Sequence, residues 1–414
     1  MNLFPFLRQL RRELHAHPEL AFAEVRTQRT LRAVLMDEAK ISAESIRTCA
    51  GTGLVVDIDA APGATPGGSA VRCVAFRSDM DALPMSEKNS HLPYASSTPQ
   101  AAHMCGHDGH MATLVGFAIL LQRQRHKLPA NTRVRLLFQP SEEENPGGAL
   151  AMIRDGCLDG VDEVYGYHNY GFPLGNVHVK AGPVMAHEQE FTIKITGTGG
   201  HGSAPQLCVD PIMIAAQIVN ALQTIVSRTL SPYDSAVLSV TQIHAGEANN
   251  VIPSSATLGG TMRDYGVGPT MRRQFEALVH GICTMHGATC QIDITEGYPA
   301  VINAPVQADI VAQVASRVAT ASSDGLPMMA SEDVSYYLQE RPGCFFFVGT
   351  KAPTDTQARD LHSDAYDFND DALPIGVRMF LGLVEHRFGT TLYSDREFHD
   401  ALHIEEKLPT GISS

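Results

Sequence analysis

A chain of 414 residues is too long for one ordinary hydrophobic core, so two domains are expected. Apolar residues make up 44% and charged residues 18%, a globular balance, and a formal net charge of -14 argues against nucleic acid as a partner. With eight scattered cysteines and no apolar run of signal-peptide or membrane-spanning length, the reading is a cytoplasmic chain with reduced thiols and no membrane partner.

Residues 7–35 carry apolar side chains at helical spacing, broken at His17-Pro18, and predict two helices joined by a proline turn. Short runs of Val, Ile, Leu, Phe and Tyr at 54–58, 71–76, 134–138, 161–167 and 344–348 predict strands. Helical patterns at 111–122, 306–319 and 372–388 alternate with them. That alternation predicts an α/β fold with a mostly parallel, covered sheet. Residues 60–69, rich in Gly, Pro and Ala, predict a mobile hairpin tip.

Residues 184–299 read differently. Strand 190–196, helix 211–228, strands 236–243 and 256–265, helix 271–286 and strand 289–295 make a β-α-β-β-α-β order. This predicts a small α+β domain inserted into a larger discontinuous one, 1–183 with 300–390. Residues 391–414 are expected to form a peripheral tail.

Four clusters of metal-binding side chains stand near the ends of the predicted strands: Cys105-Gly106-His107-Asp108-Gly109-His110, Glu142-Glu143-Glu144, His168 and His362. Asp79 and Asp81 follow the 71–76 strand. In open α/β sheets ligands bind beyond the carboxyl ends of the strands, so all of these can reach one rim. Thiolate, imidazole and carboxylate together suit zinc and neighbouring divalent transition metals. Taken singly, a glutamate run is an ordinary helix start and an isolated histidine an ordinary polar residue. Gathered at one rim without a cation, they would concentrate costly buried charge. His91, His126, His178, His286, His386, His399 and His403 have no such setting and read as structural. The loop Gly197-Thr198-Gly199-Gly200-His201-Gly202 lacks the Lys-Ser/Thr of a phosphate loop, and no Gly-x-Ser-x-Gly elbow is present.

Ser78-Asp79-Met80-Asp81-Ala82-Leu83-Pro84, the Cys105–His110 run, Phe138-Gln139-Pro140-Ser141-Glu142-Glu143, Gly199-Gly200-His201, Asn250-Val251-Ile252-Pro253 and Ser331-Glu332-Asp333 occur in order. With these motifs the chain resembles the M20 metallopeptidase family over roughly residues 5–388, nearest to its branch of amidohydrolases acting on N-acyl amino acids. The resemblance implies a catalytic domain of the zinc-exopeptidase type holding two divalent ions (Zn, Mn, Co or Ni), with 184–299 as lid. It implies metal ligands at Cys105, His107, Glu143, His168 and His362, a general base at Glu142, and supporting roles for Asp79 and Asp81. His201 takes the place of the family's oxyanion donor, reaching across a homodimer formed through the lid. Asn250 and Arg263, expected on consecutive lid strands, take the place of the pair that binds the substrate's free carboxylate. The ordinary alternative for Arg263 is an ion pair with Asp264. Glu144 and Pro146 depart from the family's loop, and Gln206 stands where the branch has His. The implied reaction is hydrolysis of an N-acyl amino acid, with a dipeptidase or carboxypeptidase, or a non-catalytic metal-binding protein, as alternatives.

Overall fold

The computed structural model describes residues 2–65, 67–68, 70, 72–355 and 360–402. The chain divides into two compact units. The first runs to Val184 and resumes over Ile302–Leu326 and from Tyr336; the second is Met185–Val301 with Pro327–Ser335. Among the described residues no helix is long and apolar enough to cross a membrane.

In chain order the strands are β1 (Ile46–Cys49), β2 (Gly53–Asp59), β3 (Cys73–Asp79), β4 (Arg133–Gln139), β5 (Glu163–Pro173) and β6 (Asn176–His178). Then come β7 (His187–Thr196), β8 (Ala236–Ala245), β9 (Ser255–Asp264), β10 (Thr289–Glu296), β11 (Thr320–Ser322) and β12 (Gly343–Lys351). Among the described residues the α-helices longer than two turns are α1 (Leu3–Ala16), α2 (Val25–Asp37), α3 (His107–Gln124), α4 (Pro211–Thr224), α5 (Gly268–Met285), α6 (Pro305–Val318), α7 (Leu373–Phe388) and α8 (Asp395–Leu402), with shorter ones at Gly148–Arg154 and Val334–Glu340.

In the first unit an eight-stranded sheet has the order β1-β2-β4-β3-β5-β12-β6-β11. The central strands β4, β3, β5 and β12 are parallel, while β1 and β2 add antiparallel at one side and β6 pairs antiparallel with β12 at the other. The sheet is therefore mixed, parallel through its covered centre and again where the short edge strand β11 pairs with β6. Its centre aligns the carboxyl ends of β3 and β4, so Asp79 and Gln139 are register partners. Helix α3 is buried on every side from His107 to Leu121 and packs against α1 and α7. Helix α1 turns Leu3, Leu7, Leu10 and Leu14 inward at helical spacing and stops before Pro18, as the proline turn requires.

Two expectations fail here. Residues 60–69 are no hairpin tip, because β4 lies between β2 and β3; residues 66 and 69 of that stretch are outside the described residues. The stretch read as a peripheral tail carries α8, whose Phe398 and Leu402 join Leu392 and Tyr393 in the first unit's core. Its single apolar turn spacing was too short to register as a helix. Residues 403–414, with His403, lie outside the described residues.

The second unit is a four-stranded antiparallel sheet in the order β8-β9-β7-β10 with α4 and α5 packed on it. Along β7 the alternation of buried and exposed residues marks one wet face and one face on the helices. Asp210 caps α4 through the Ile212 amide, with Pro211 at the first helical position. Pro327–Ser335 joins this unit through the Ala186 N–H to Ala330 carbonyl bond of 2.8 Å and the Met185–Met328 bridge.

A buried charge cluster ties α1 to α3. Arg11, fully buried, pairs with Asp108, Asp367 and Asp370, and His15 bonds Asp108 at 2.9 Å and Glu87 at 3.3 Å. Burial opposes charge on His15, but the bonds to Asp108 and Glu87 outweigh it and hold its pKa up to about 9.

Each unit has its own core, and Phe275, buried in the second against Phe191 at a ring distance of 4.7 Å, anchors only that one. Phe275→Ala is expected to destabilise the second unit by about 3–5 kcal/mol. Calorimetry should show its transition lowered and the first unit's nearly unmoved. His15 gives a pH-dependent test: its raised pKa adds stability that is complete below about pH 6.5 and is lost as pH climbs through about 9. The stability gap between wild type and His15→Gln should therefore shrink by roughly 3 kcal/mol between pH 6 and pH 10 in denaturant melts. A gap independent of pH would contradict a charged His15.

Candidate metal centre

The centre is built at the carboxyl ends of the parallel strands. Asp79 ends β3, Glu142 and Glu143 follow β4, His168 lies within β5, and His362 stands in the loop after β12. Strand β5 continues beyond His168 to Pro173, because β12 pairs with it there and places His168 opposite Phe347. Helix α3 begins at His107, earlier than the apolar spacing indicated, with Gly106 before it at φ 100°. A Cβ on Gly106 would come within 2.2 Å of Asn169 Oδ1, so the turn that aims Cys105 and His107 inward needs glycine on two counts.

Three groups of possible ligand atoms, each within 4.8 Å of one another, occur here: Asp79, His107, His110 and His168; Cys105, Glu143 and His362; and His107, Glu142 and Glu143. The ligand candidates of the first unit are thus brought to one place. His107 Nε2 lies 3.8 Å from Glu143 Oε1 and 3.9 Å from Glu142 Oε2, His362 Nε2 lies 3.5 Å from Glu143 Oε1, and Cys105 Sγ lies 3.3 Å from His168 Nε2. His362 is the open member, with a side chain 55% exposed.

Neighbouring groups fix which atoms face inward. His107 donates Nδ1–H to the Asp81 carbonyl at 2.9 Å, which leaves Nε2 to the centre. His168 donates Nδ1–H to the Asn169 carbonyl at 2.7 Å, again freeing Nε2. His110 accepts the Asn169 N–H on Nε2 at 3.1 Å and donates Nδ1–H to Asp79 at 2.6 Å, so both its nitrogens are spent on protein. Asp79 also accepts from Arg77 at 2.8 Å, and Asp81 accepts the Glu143 amide at 2.9 Å. These contacts have the form of the outer partners that orient metal ligands.

Burial opposes charge on His107, yet Asp79, Asp81 and Glu143 outweigh it and hold its pKa up to about 10. Burial, then the carboxylates of Glu143, Glu142 and Asp79, push the Cys105 thiol well above its usual range. Burial and neighbouring His110 hold His168 well below its usual range, keeping it neutral. Among the described residues, buried His107 Nε2 and Glu143 Oε1 have no hydrogen-bond partner. An imidazole nitrogen and a carboxylate oxygen facing each other across 3.8 Å with no hydrogen bond between them leave room for a shared cation, and the donor set suits a divalent transition metal.

The remaining candidates lie in the second unit. His201 pairs with Val251 across a two-residue ladder, and Asn250 lies in the turn just before it, with its carbonyl accepting the Gly202 N–H at 2.8 Å. Asn250 is thus in a turn beside His201, not on a strand beside Arg263. His201 Nδ1 accepts from Ser203, at 3.1 Å from its N–H and 2.7 Å from its hydroxyl, which puts the ring proton on Nε2. Arg263 lies near the other end of β9 and bonds Glu188 at 2.8 Å, Ser331 at 3.1 Å and Thr261 at 3.3 Å. Its ion-pair partner is Glu188 rather than Asp264, because Arg263 and Glu188 are register neighbours; Asp264 instead bonds His187 at 2.9 Å. Glu188 and Ser331 were missed, and register alone could have found Glu188.

Known proteins match this frame. The sequence model of peptidase family M20/M25/M40 matches residues 75–386. An N-acyl-L-amino acid amidohydrolase of Geobacillus stearothermophilus is 41% identical over 300 residues, 71% of this chain and 76% of that one. Thermostable carboxypeptidase 1 of Saccharolobus solfataricus is 36% identical over 379 residues, 89% of this chain and 92% of that one. A Bacillus subtilis crystal structure described as a dinuclear metal-binding peptidase of the M20 family aligns with a TM-score of 0.78 at 31% identity, covering 94% of this chain and 99% of that one. Strand-end thiol, imidazole and carboxylate groups on this frame thus belong to a hydrolase, and the chain is a member of peptidase family M20/M25/M40, among its amidohydrolases.

Proposed function

We propose that the chain is a metal-dependent amidohydrolase that splits N-acyl amino acids into a carboxylic acid and a free amino acid. The supporting observation is the adjacency of two glutamates after β4, with Glu143 facing His107 and His362 while Glu142 reaches the same space from the next position. Cys105, His107, Glu143, His168 and His362 would hold two divalent ions (Zn, Mn, Co or Ni), which when bound acidify a water and polarise the amide carbonyl. Glu142 takes the water's proton and delivers it to the leaving amine. Asp79 and Asp81 hold their histidine and backbone partners in place for this. His201, with its proton on Nε2, donates to the oxyanion that forms on the carbonyl oxygen. Arg263 and Asn250 receive the free carboxylate of the amino acid.

The lid's dimensions support a homodimer. His201 and Asn250 adjoin the Ser255 end of β9 and Arg263 the other, eight residues away, which is roughly 26 Å of strand. One amino-acid-sized substrate cannot touch both ends of one lid, whereas a second copy can supply His201 and Asn250. Eight free thiols support a cytoplasmic setting, and nothing in the reading calls for nucleic acid or membrane. The carboxypeptidase relative favours a second reading on the same machinery, peptide cleavage, distinguished by a preference for acyl groups bearing a free amine.

Hydrolysis of N-acetyl and N-benzoyl amino acids should stop on chelation and return with metal. Glu142→Gln should lower kcat by roughly 10²–10⁴-fold with bound metal unchanged by elemental analysis. Full activity in that variant would remove Glu142 from the role. Arg263→Ala should cost roughly 10²-fold or more in kcat/KM on substrates with a free carboxylate and much less on the matching amides. Mixing Arg263→Ala with His201→Ala should restore activity if each site draws on both copies; no recovery after subunit exchange would count against the dimeric arrangement.

A further inference from the structure

Two parts of the proposed metal-ligand set come from chain segments far apart: the Cys105–His107 turn, and the loop that carries His362. His362 sits at φ 62°, a left-handed conformation unfavourable for a residue with a Cβ, so the surrounding structure must hold it there. One tie is local, the His362 N–H to the Met104 carbonyl at 2.8 Å. Asn89 and Asn169 also hold Tyr366, by its carbonyl at 2.9 Å and its hydroxyl at 2.6 Å, and a further tie, the one that reaches the His107 turn by charge, runs through Arg11. Its guanidinium, with no exposure to solvent, lies 3.5 Å from Asp108, the residue after His107, and also bonds Asp367 at 3.1 Å and Asp370 at 2.8 Å in the segment that follows His362. Tyr94 covers the same group, with its ring centroid 4.7 Å from the Arg11 carbon and its hydroxyl on Asp367 at 3.0 Å.

We infer that Arg11 is a positioning residue that holds the His362 loop in register with the His107 turn, and so sets the affinity of the metal position served by His362. A planar fork with five N–H donors can satisfy carboxylates from two segments at once, which a lysine ammonium on a flexible stem cannot do with the same geometry. Arg12 is the natural contrast. It pairs with Asp370 at 2.7 Å from a partly exposed position on the loop side alone. The inference rests on the two-ion reading above.

The test is chelator competition on the cobalt-loaded full-length chain, read as dissociation of each equivalent. Wild type must release two equivalents; fewer would sink the two-ion reading itself, before any variant is compared. Given two, Arg11→Met should weaken one equivalent by roughly 10–100-fold and leave the other within about threefold, the scale set by outer partners of metal ligands. Arg11→Lys should fall between, and Arg12→Met should match wild type. Because Arg11→Met strands buried carboxylates, Asp367→Asn provides a second probe that keeps the guanidinium and loosens only the loop side. It should show the same one-sided loss at smaller size. Unchanged affinity for both equivalents, or equal loss of both, in the folded variants would overturn the assignment.

Discussion

The first unit's site depends on a surplus of buried negative charge. Asp79, Asp81, Glu142 and Glu143 converge beside Cys105 at the carboxyl ends of a parallel sheet, where water is largely excluded. Arg77 answers part of the charge through Asp79, and His107 answers more by holding a proton far above its ordinary range. That proton occupies the lone pair that would face a metal, so proton and cation compete for one position. Acid groups that push the Cys105 thiol up and favour charge on His107 would equally favour a cation held among them.

The surroundings are arranged to make this exchange precise. His107 and His168 are each oriented by a backbone carbonyl on the other nitrogen, which does not change charge with pH and so does not alter their aim. His110 shows the opposite use. With both nitrogens engaged, it anchors Asp79 and the β5 backbone and cannot leave them for a metal. Identical side chains three residues apart therefore do different work, and the distinction is made by what lies behind them rather than by their spacing.

Much of this was legible in the sequence, for physical reasons that can be named. Val134 to Phe138 and Cys344 to Val348 are covered on both faces, so their apolar runs are unbroken and their ends mark where ligands stand. The glycine at 106 signalled a tight turn, and the backbone there is left-handed with no room for a Cβ. What was hidden depends on partners distant in sequence. Arg263 reads as paired with adjacent Asp264 until the register of β9 with β7 sets it opposite Glu188. Residues 60–69 read as a hairpin tip because neighbouring strands in sequence commonly pair, and β4 inserts between them. The α8 segment is short and charged, and only its Phe398 and Leu402 find the core. Arg11 reads as one of several arginines on an amphipathic helix; its burial depends on carboxylates more than 350 residues away in Asp367 and Asp370.

The division of labour between the units follows from these constraints. Chemistry that needs several ligands at fixed mutual distances is placed where parallel strands end side by side, on elements buried on all faces. The groups proposed for recognition, His201 and Arg263, belong to the second unit, which has its own core, and lie near opposite ends of β9. Relatives named for amidohydrolase and for carboxypeptidase activity are consistent with that separation. The groups that would tell an acyl amino acid from a peptide need not be the groups that hold metal, and selectivity should reside in the second unit's contacts.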